Sequence, residues 1–382
     1  MRNTFIGIVI GVVVGVVVGA TLIAPRLVPQ TLHPSPRPAP AREDPRTSSA
    51  ALPLAAAVTG RMALRWTMAS AYAAGRPQFG DLAGRIDTEV WRVSGGATEI
   101  KLQDSDESPP GAGLIEAVAG GSLTAAFVGP DELGAKSPAL ELVSALPFGP
   151  TARAHLAWLR QGGGLDAATT VMQKLQIKGL PCGLVGAEGG GWFRGPIRTV
   201  EDLKGLKVRL TGLGGRTLAK LGVKTLATPP ERMFAELESR GLDAVVFSLP
   251  SNDVQLEFHK FARFYYLPGW QRPVTVTFLV VNLDKWRALS ATRKSQIEAV
   301  CGSNIEIGLA ESESAQFQAL KEMTEKGVNL DRWPDEVIKR LRAAWLDTAN
   351  EIAAMDPDFK QAWQSLQDFR KRFSIWEELG RL

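Results

Sequence analysis

At 382 residues with 45% apolar side chains, the chain is too long for one minimal domain and can bury a sizeable core in two lobes. Lys and Arg outnumber Asp and Glu by only 44 to 40, and no basic stripe interleaves with aromatics, which excludes nucleic acid as a partner. Two cysteines outside any CxxC, and histidines scattered at His33, His155 and His259, exclude a zinc set and give no support to a nucleophilic triad.

The first element is the run FIGIVIGVVVGVVVGA, Phe5 to Ala20, inside an uncharged stretch that reaches Ala24 and is flanked by Arg2 and Arg26. A helix of about 20 such residues spans ~30 Å of hydrocarbon, so residues 1–24 read as a transmembrane anchor that sends the following head across the membrane. Val18-Gly19-Ala20 also offers a small-residue cleavage site, and a cleaved signal is the alternative. Gly7, Gly11, Gly15 and Gly19 recur every fourth residue, a spacing that admits close approach of a second membrane helix. The plainer explanation is that glycine is frequent in such helices. Residues 25–60 carry prolines at 25, 29, 34, 36, 38, 40, 45 and 53 and form an extended linker.

From Arg61 the chain alternates strand and helix signals. RMALRWTMAS reads as a strand, GDLAGRIDTEVWRVSGG as an amphipathic helix, TEIKLQD as a strand, and GAGLIEAVAGGSLTAAFVG as a helix, a glycine stop and a buried strand. This order predicts an α/β lobe with a mostly parallel sheet. A second unit repeats it. DLKGLKVRL ends in a strand, GLGGRTLAKLG turns into a helix, and TLATPPERMFAELESRGLDAVVFS gives strand, proline-started helix and strand. GLGGRT lacks the third glycine and the acidic partner of a dinucleotide fingerprint, and no cofactor is expected. Three long amphipathic helices follow, the last with an aromatic stripe (Trp363, Phe369, Phe373, Trp376) suited to core or dimer packing. Cys182 and Cys301 read as solitary buried thiols, with a long-range disulfide as the alternative. GAEGGGWFRG is either an anion cradle of backbone N–H groups or a lobe-crossing turn, and Asp106-Glu107 and Asp131-Glu132 read as solvated loop carboxylates.

PIRTVEDLKGLKVRLTGLGGRTLAKLGV, RMFAELESRGLDAVVF and YYLPGW, with ALPFG, GGGLDAA, GGWFRGPI and MDPDFKQAW, resemble the periplasmic solute-binding proteins of TRAP transporters, nearest the branch that takes α-keto acids. The resemblance runs from Arg61 to the C-terminus. It implies a two-lobed clamshell braced by long C-terminal helices, a small organic acid as ligand, no catalysis, and TRAP membrane subunits as partners. Some relatives form homodimers. Lobe 1 is then residues 61–182 with 272–310, lobe 2 residues 183–271, and the C-terminal helices residues 311–382.

The same resemblance places Arg209 as the carboxylate clamp, with Glu188, Phe247, Trp192, Trp270 and Arg194 around the cleft, Arg194 having the more structural role. The chain also departs from the branch. Glu188 replaces a glutamine and Leu184 an asparagine. Val246-Phe247 replaces a Glu-Trp pair that helps ligate a cation, and valine brings no side-chain oxygen. Asp131-Glu132 stands where an aromatic pair is expected. The expected cation-and-carboxylate pocket is therefore rewritten. A second reading follows, in which the fold is repurposed as a scaffold or accessory subunit of an inner-membrane complex.

Overall fold

Sheet polarity decides where the loops of this chain meet. The computed structural model describes residues 63–103 and 113–380. The predicted anchor, its glycines Gly7, Gly11, Gly15 and Gly19, the linker and Asp106-Glu107 lie outside the described residues. Among the described residues, no helix is long and apolar enough to cross a membrane.

Among the described residues eleven strands form two sheets: β1 Leu64–Ser70, β2 Thr98–Leu102, β3 Ala125–Val128, β4 Ile177–Val185, β5 Gly191–Phe193, β6 Lys207–Arg209, β7 Lys224–Leu226, β8 Ala244–Val245, β9 Phe264–Leu267, β10 Thr275–Asn282 and β11 Asn329–Arg332. The first sheet has the order β2-β1-β3-β10-β4 and the second β11-β9-β5-β8-β6-β7. In each sheet one strand opposes the rest. β10 is antiparallel to both β3 and β4, and β5 is antiparallel to both β8 and β9, while the other pairings are parallel. The mostly parallel order read from the sequence holds with this exception.

The inner strands are covered on both faces, so β3, β4, β5, β8 and β10 are buried nearly throughout. Along β3, Ala126 and Val128 enter one core cluster while Ala125 and Phe127 enter the other. The second sheet repeats the pattern. Phe193 and Tyr266 face one side, Trp192 and Tyr265 the other.

The chain passes between the sheets three times: after β4, after β9, and through the helix Ala291–Glu325. That helix has 35 residues, about 52 Å at 1.5 Å per residue. Its Ile297 and Val300 pack into the first lobe's core, and its Ala319 and Met323 into the second's. The helix Asp335–Met355 does the same, with Trp345 in one core and Val337 and Leu341 in the other. The last helix, Pro357–Leu379, buries Trp363 edge-on to Trp345 at 5.5 Å. Its predicted aromatic stripe divides: Phe369 packs against the core and stacks on Phe373, while Trp376 is 57% exposed.

Close packing of the long helix on β4 depends on Gly308, where an added Cβ would lie 2.9 Å from the Leu184 carbonyl oxygen. Beside it the two cysteines are joined. Cys182 of β4 and Cys301 of the long helix form a disulfide across 119 residues of sequence. The expectation of solitary thiols is corrected. Neighbouring side chains on a strand and the helix covering it can be far apart in sequence, and spacing alone carries no trace of the pairing. A disulfide closing so long a loop stabilises by about 2–4 kcal/mol. Replacing both cysteines by alanine is expected to lower the melting temperature by several degrees, with reducing agent producing the same loss in the parent and none in the variant. Scanning calorimetry with and without reductant reads both.

Candidate functional site

The strands of the first sheet that run together end at the same edge, and their following loops converge there, as do those of the second sheet. Ligands in open α/β sheets bind outside these carboxyl ends. Tyr72, Arg76 and Phe79 follow β1, Asp131 and Glu132 follow β3, and Glu188 follows β4. Arg209 ends β6, Thr228 to Pro230 follow β7, and Phe247 follows β8. Arg272 and Thr275 arrive at the start of the opposing strand β10. Together they line a cleft of about 470 Å³ between the sheets.

Three guanidinium groups meet in it. Arg209 is fixed by lobe 2: its Nη1 donates to the Val246 carbonyl at 3.0 Å and its Nε to the Thr228 carbonyl at 3.3 Å. Arg76 comes from lobe 1 and reaches over, donating from Nη2 to Ser248 Oγ at 3.2 Å. The Phe247 ring lies between these two, 4.6 Å from the Arg76 guanidinium carbon and 5.4 Å from that of Arg209. Arg76 also packs over Tyr72 and Phe79, at 5.2 and 5.1 Å. Arg272, with a side chain only 12% exposed, hydrogen-bonds Asp131 and pairs with Glu188 at 3.7 Å.

The two chain crossings lie side by side beneath this group. Glu188 N–H donates to the Arg272 carbonyl, Gly269 N–H to the Glu188 carbonyl, and Gln271 Nε2 to the Gly189 carbonyl. At Gly269 an added Cβ would stand 2.3 Å from the Glu188 oxygen, so only glycine permits the approach. The N–H groups of Gly189 and Gly190 are taken by the Ser248 and Tyr266 carbonyls. Of the two readings of GAEGGGWFRG, the lobe-crossing turn is the one observed.

The carboxyl groups respond in opposite directions. Enclosure raises Asp131, but Arg272, Arg209 and Arg76 outweigh it and hold the group down at about 2. Burial, then repulsion from Asp131, pushes neighbouring Glu132 up to about 7. Burial raises Glu188 as well, against the attraction of Arg272. Asp131 and Glu132 open the helix Pro130–Lys136 and line the cleft, which corrects the expectation that they sit in a loop, while the Asp131 side chain stays 44% exposed to solvent. That expectation failed because the proline-started helix turns its first residues toward Arg272.

The structure brings Arg209, Glu188 and Phe247 together and keeps the other expected site residues apart from them. Trp192 is wholly buried in the core of lobe 2, its Nε1 donating to Asp253 Oδ2 at 3.3 Å. Trp270 is buried and stacks on Phe148 at 5.6 Å. Arg194 ties the Leu242 and Phe261 carbonyls, each at 3.2 Å. None of the three lines the cleft: Trp192 sits on β5, which is buried throughout, and Trp270 and Arg194 are held by the contacts just given. Val246 is buried in the core and offers the cleft no side-chain oxygen. Sequence reasoning missed Arg76, Arg272, Tyr72 and Phe79. Both missed arginines precede a proline, Arg76-Pro77 and Arg272-Pro273. Such a step holds the preceding residue extended, a local signal that fits a side chain presented from a loop.

Comparison with known proteins agrees with this architecture. A monocarboxylate 2-oxoacid-binding periplasmic protein of Nostoc sp. is 30% identical over 322 residues, 84% of this chain and 87% of the relative. A TRAP transporter solute-binding protein of Bordetella bronchiseptica RB50, solved with copurified calcium and picolinate, superposes with a TM-score of 0.79 at 30% identity, covering 83% of this chain and 94% of that one. A TRAP periplasmic solute-binding protein of Pseudoalteromonas atlantica with bound sodium and pyruvate gives 0.78 at 28% identity, over 82% and 96%. One of Colwellia psychrerythraea with bound calcium and pyruvate gives 0.79 at 28%, over 83% and 97%. Residues 68–356 match the DctP family, and the chain belongs to it: it is a bacterial extracellular solute-binding protein of family 7.

Proposed function

We propose that the cleft captures a small monocarboxylic 2-oxoacid and delivers it to the membrane subunits of a TRAP transporter. The observation that carries this reading is the convergence of Arg76, Arg209 and Arg272, from both lobes and the crossing segments, on one cleft. A planar guanidinium offers paired N–H donors to two carboxylate oxygens. Arg209 is anchored through Nε and Nη1, which leaves its outer nitrogen to meet a ligand. Arg76 Nε and Thr275 Oγ1 are buried without a protein partner and supply further polar atoms at the cleft. Pyruvate and 2-oxoacids are what the similar proteins bind. The walls made by Tyr72, Phe79 and Phe247 and a volume of about 470 Å³ leave room for an apolar substituent beyond three carbons. Contacts across the cleft, Arg76 to Ser248 and Gln78 to Ser251 and Asn252, are those that would make and break as the lobes move.

In this reading residues 1–24 hold the protein at the outer face of the inner membrane and residues 25–60 space the head from it. The apolar run and the proline-rich stretch support it. Retention in the membrane fraction after salt washing, lost on deleting residues 1–24, is the expected result of fractionation.

Titration calorimetry against pyruvate, longer and branched 2-oxoacids and picolinate tests the ligand class. At least one 2-oxoacid is expected to bind, and binding by none of them overturns the reading. Arg209→Ala is expected to weaken binding by ~100-fold, as the loss of charged hydrogen bonds of about 1.5–3 kcal/mol each implies. The pH dependence has a definite sign. Glu132, at about 7, gains negative charge in the cleft as pH rises through that value, while the ligand stays anionic. Affinity should therefore fall several-fold between mildly acidic and mildly alkaline pH, and Glu132→Gln should flatten the profile.

A further inference from the structure

Three similar proteins hold sodium or calcium together with their acid ligand. The residues of this cleft do not fit such an ion. A hard cation needs several free oxygen ligands. Here Asp131 and Glu188 are already drawn onto Arg272, one by a hydrogen bond and the other at 3.7 Å. The Val246 carbonyl accepts from Arg209 at 3.0 Å, and its side chain has no oxygen to give. Among the described residues, no group of three or more His, Cys, Asp or Glu is arranged to hold a metal. Arg76, Arg209 and Arg272 all line the same cleft, and a metal ion brought there would meet three like charges.

We propose that the Arg272 guanidinium takes the place of a metal ion, so that this protein binds its 2-oxoacid without sodium or calcium. The group is a permanent positive charge. Asp131 and Glu188 hold it from two directions, much as carboxylates would hold a bound cation. Unlike a metal, it also carries hydrogen atoms. Of its five N–H donors, those not engaged by the two carboxylates meet the oxygens of the acid as hydrogen bonds. The charge stays in place when the ligand leaves, whereas a bound ion can be lost with it. Glu132 and Thr275 complete the surroundings, the first on the Asp131 side and the second at the start of β10.

This inference rests on the 2-oxoacid reading, and one experiment separates the two. The full-length protein is dialysed against chelator in sodium-free buffer. It is then titrated with pyruvate, and with the 2-oxoacid of the panel that releases most heat, in buffer alone, with sodium chloride and with calcium chloride. Calcium chloride is also titrated in without any acid. The expected result is an affinity equal within about twofold in all three buffers, and no calcium binding without the acid. Arg272→Gln should weaken the acid by at least ~10-fold, with Arg272→Lys retaining more, and circular dichroism confirms that both variants fold. Binding that vanishes with chelator and returns with sodium or calcium overturns the inference and leaves the 2-oxoacid reading standing. So does a folded Arg272→Gln that binds like the parent. No binding in any buffer overturns the 2-oxoacid reading, and this inference with it.

Discussion

The ion pairs of Arg272 are the constraint around which the rest of the molecule is arranged. Asp131 belongs to the first turn of the helix after β3, Glu188 to the first crossing between the sheets and Arg272 to the second. One guanidinium thus fixes three chain segments relative to each other at the point where both lobes meet. Arg272 and Glu188, whose side chains are 12% and 4% exposed, are stable as charges only when paired, since an unpartnered charge in a low-dielectric interior is strongly unfavourable. The pairing also sets the electrostatics of the cleft. It keeps Asp131 ionised while its neighbour Glu132 is pushed toward neutrality. The cleft thus gathers three guanidinium groups without being uniformly basic.

Around this centre the fold acts as a device for bringing loops from both sheets to one edge. Four strands of the first sheet run together, so Tyr72, Arg76, Asp131 and Glu188 emerge on one side. The second sheet presents Arg209, Thr228 and Phe247 in the same way. Two helices with one end in each core hold the sheets at a working distance. The binding chemistry lives on loops and strand ends, while rigidity comes from apolar packing elsewhere.

The sequence made the architecture readable and the site only partly so. Strand and helix signals recur with clean periodicity from Leu64 to Leu379, because sheets covered on both faces and amphipathic helices impose patterns at short range. The DLKGLK segment located Arg209 for the same reason, as a strand end in a recognisable unit. Arg76 and Arg272 lay hidden because each is a single residue in a loop, and what holds each at the cleft is a contact across lobes or crossings. Trp192 and Trp270 misled for the converse reason. The resemblance put them at a cleft wall, but here the neighbouring glycines let rings pack tightly into the core, as at Gly189, where an added Cβ would meet the Tyr265 hydroxyl at 1.8 Å. The pairing of Cys182 with Cys301 belongs to the same class of long-range facts.

Threading the chain three times between the sheets has a kinetic consequence. The first sheet lacks an inner strand until residues 275–282 are present, because β10 sits between β3 and β4. The second sheet lacks its outer strand β11 until residues 329–332 follow the long helix. A chain emerging N-terminus first can therefore complete neither sheet until most of its length is available. Pairings this distant in sequence make folding slow. The order of the strands thus governs when, as well as how, the molecule takes shape.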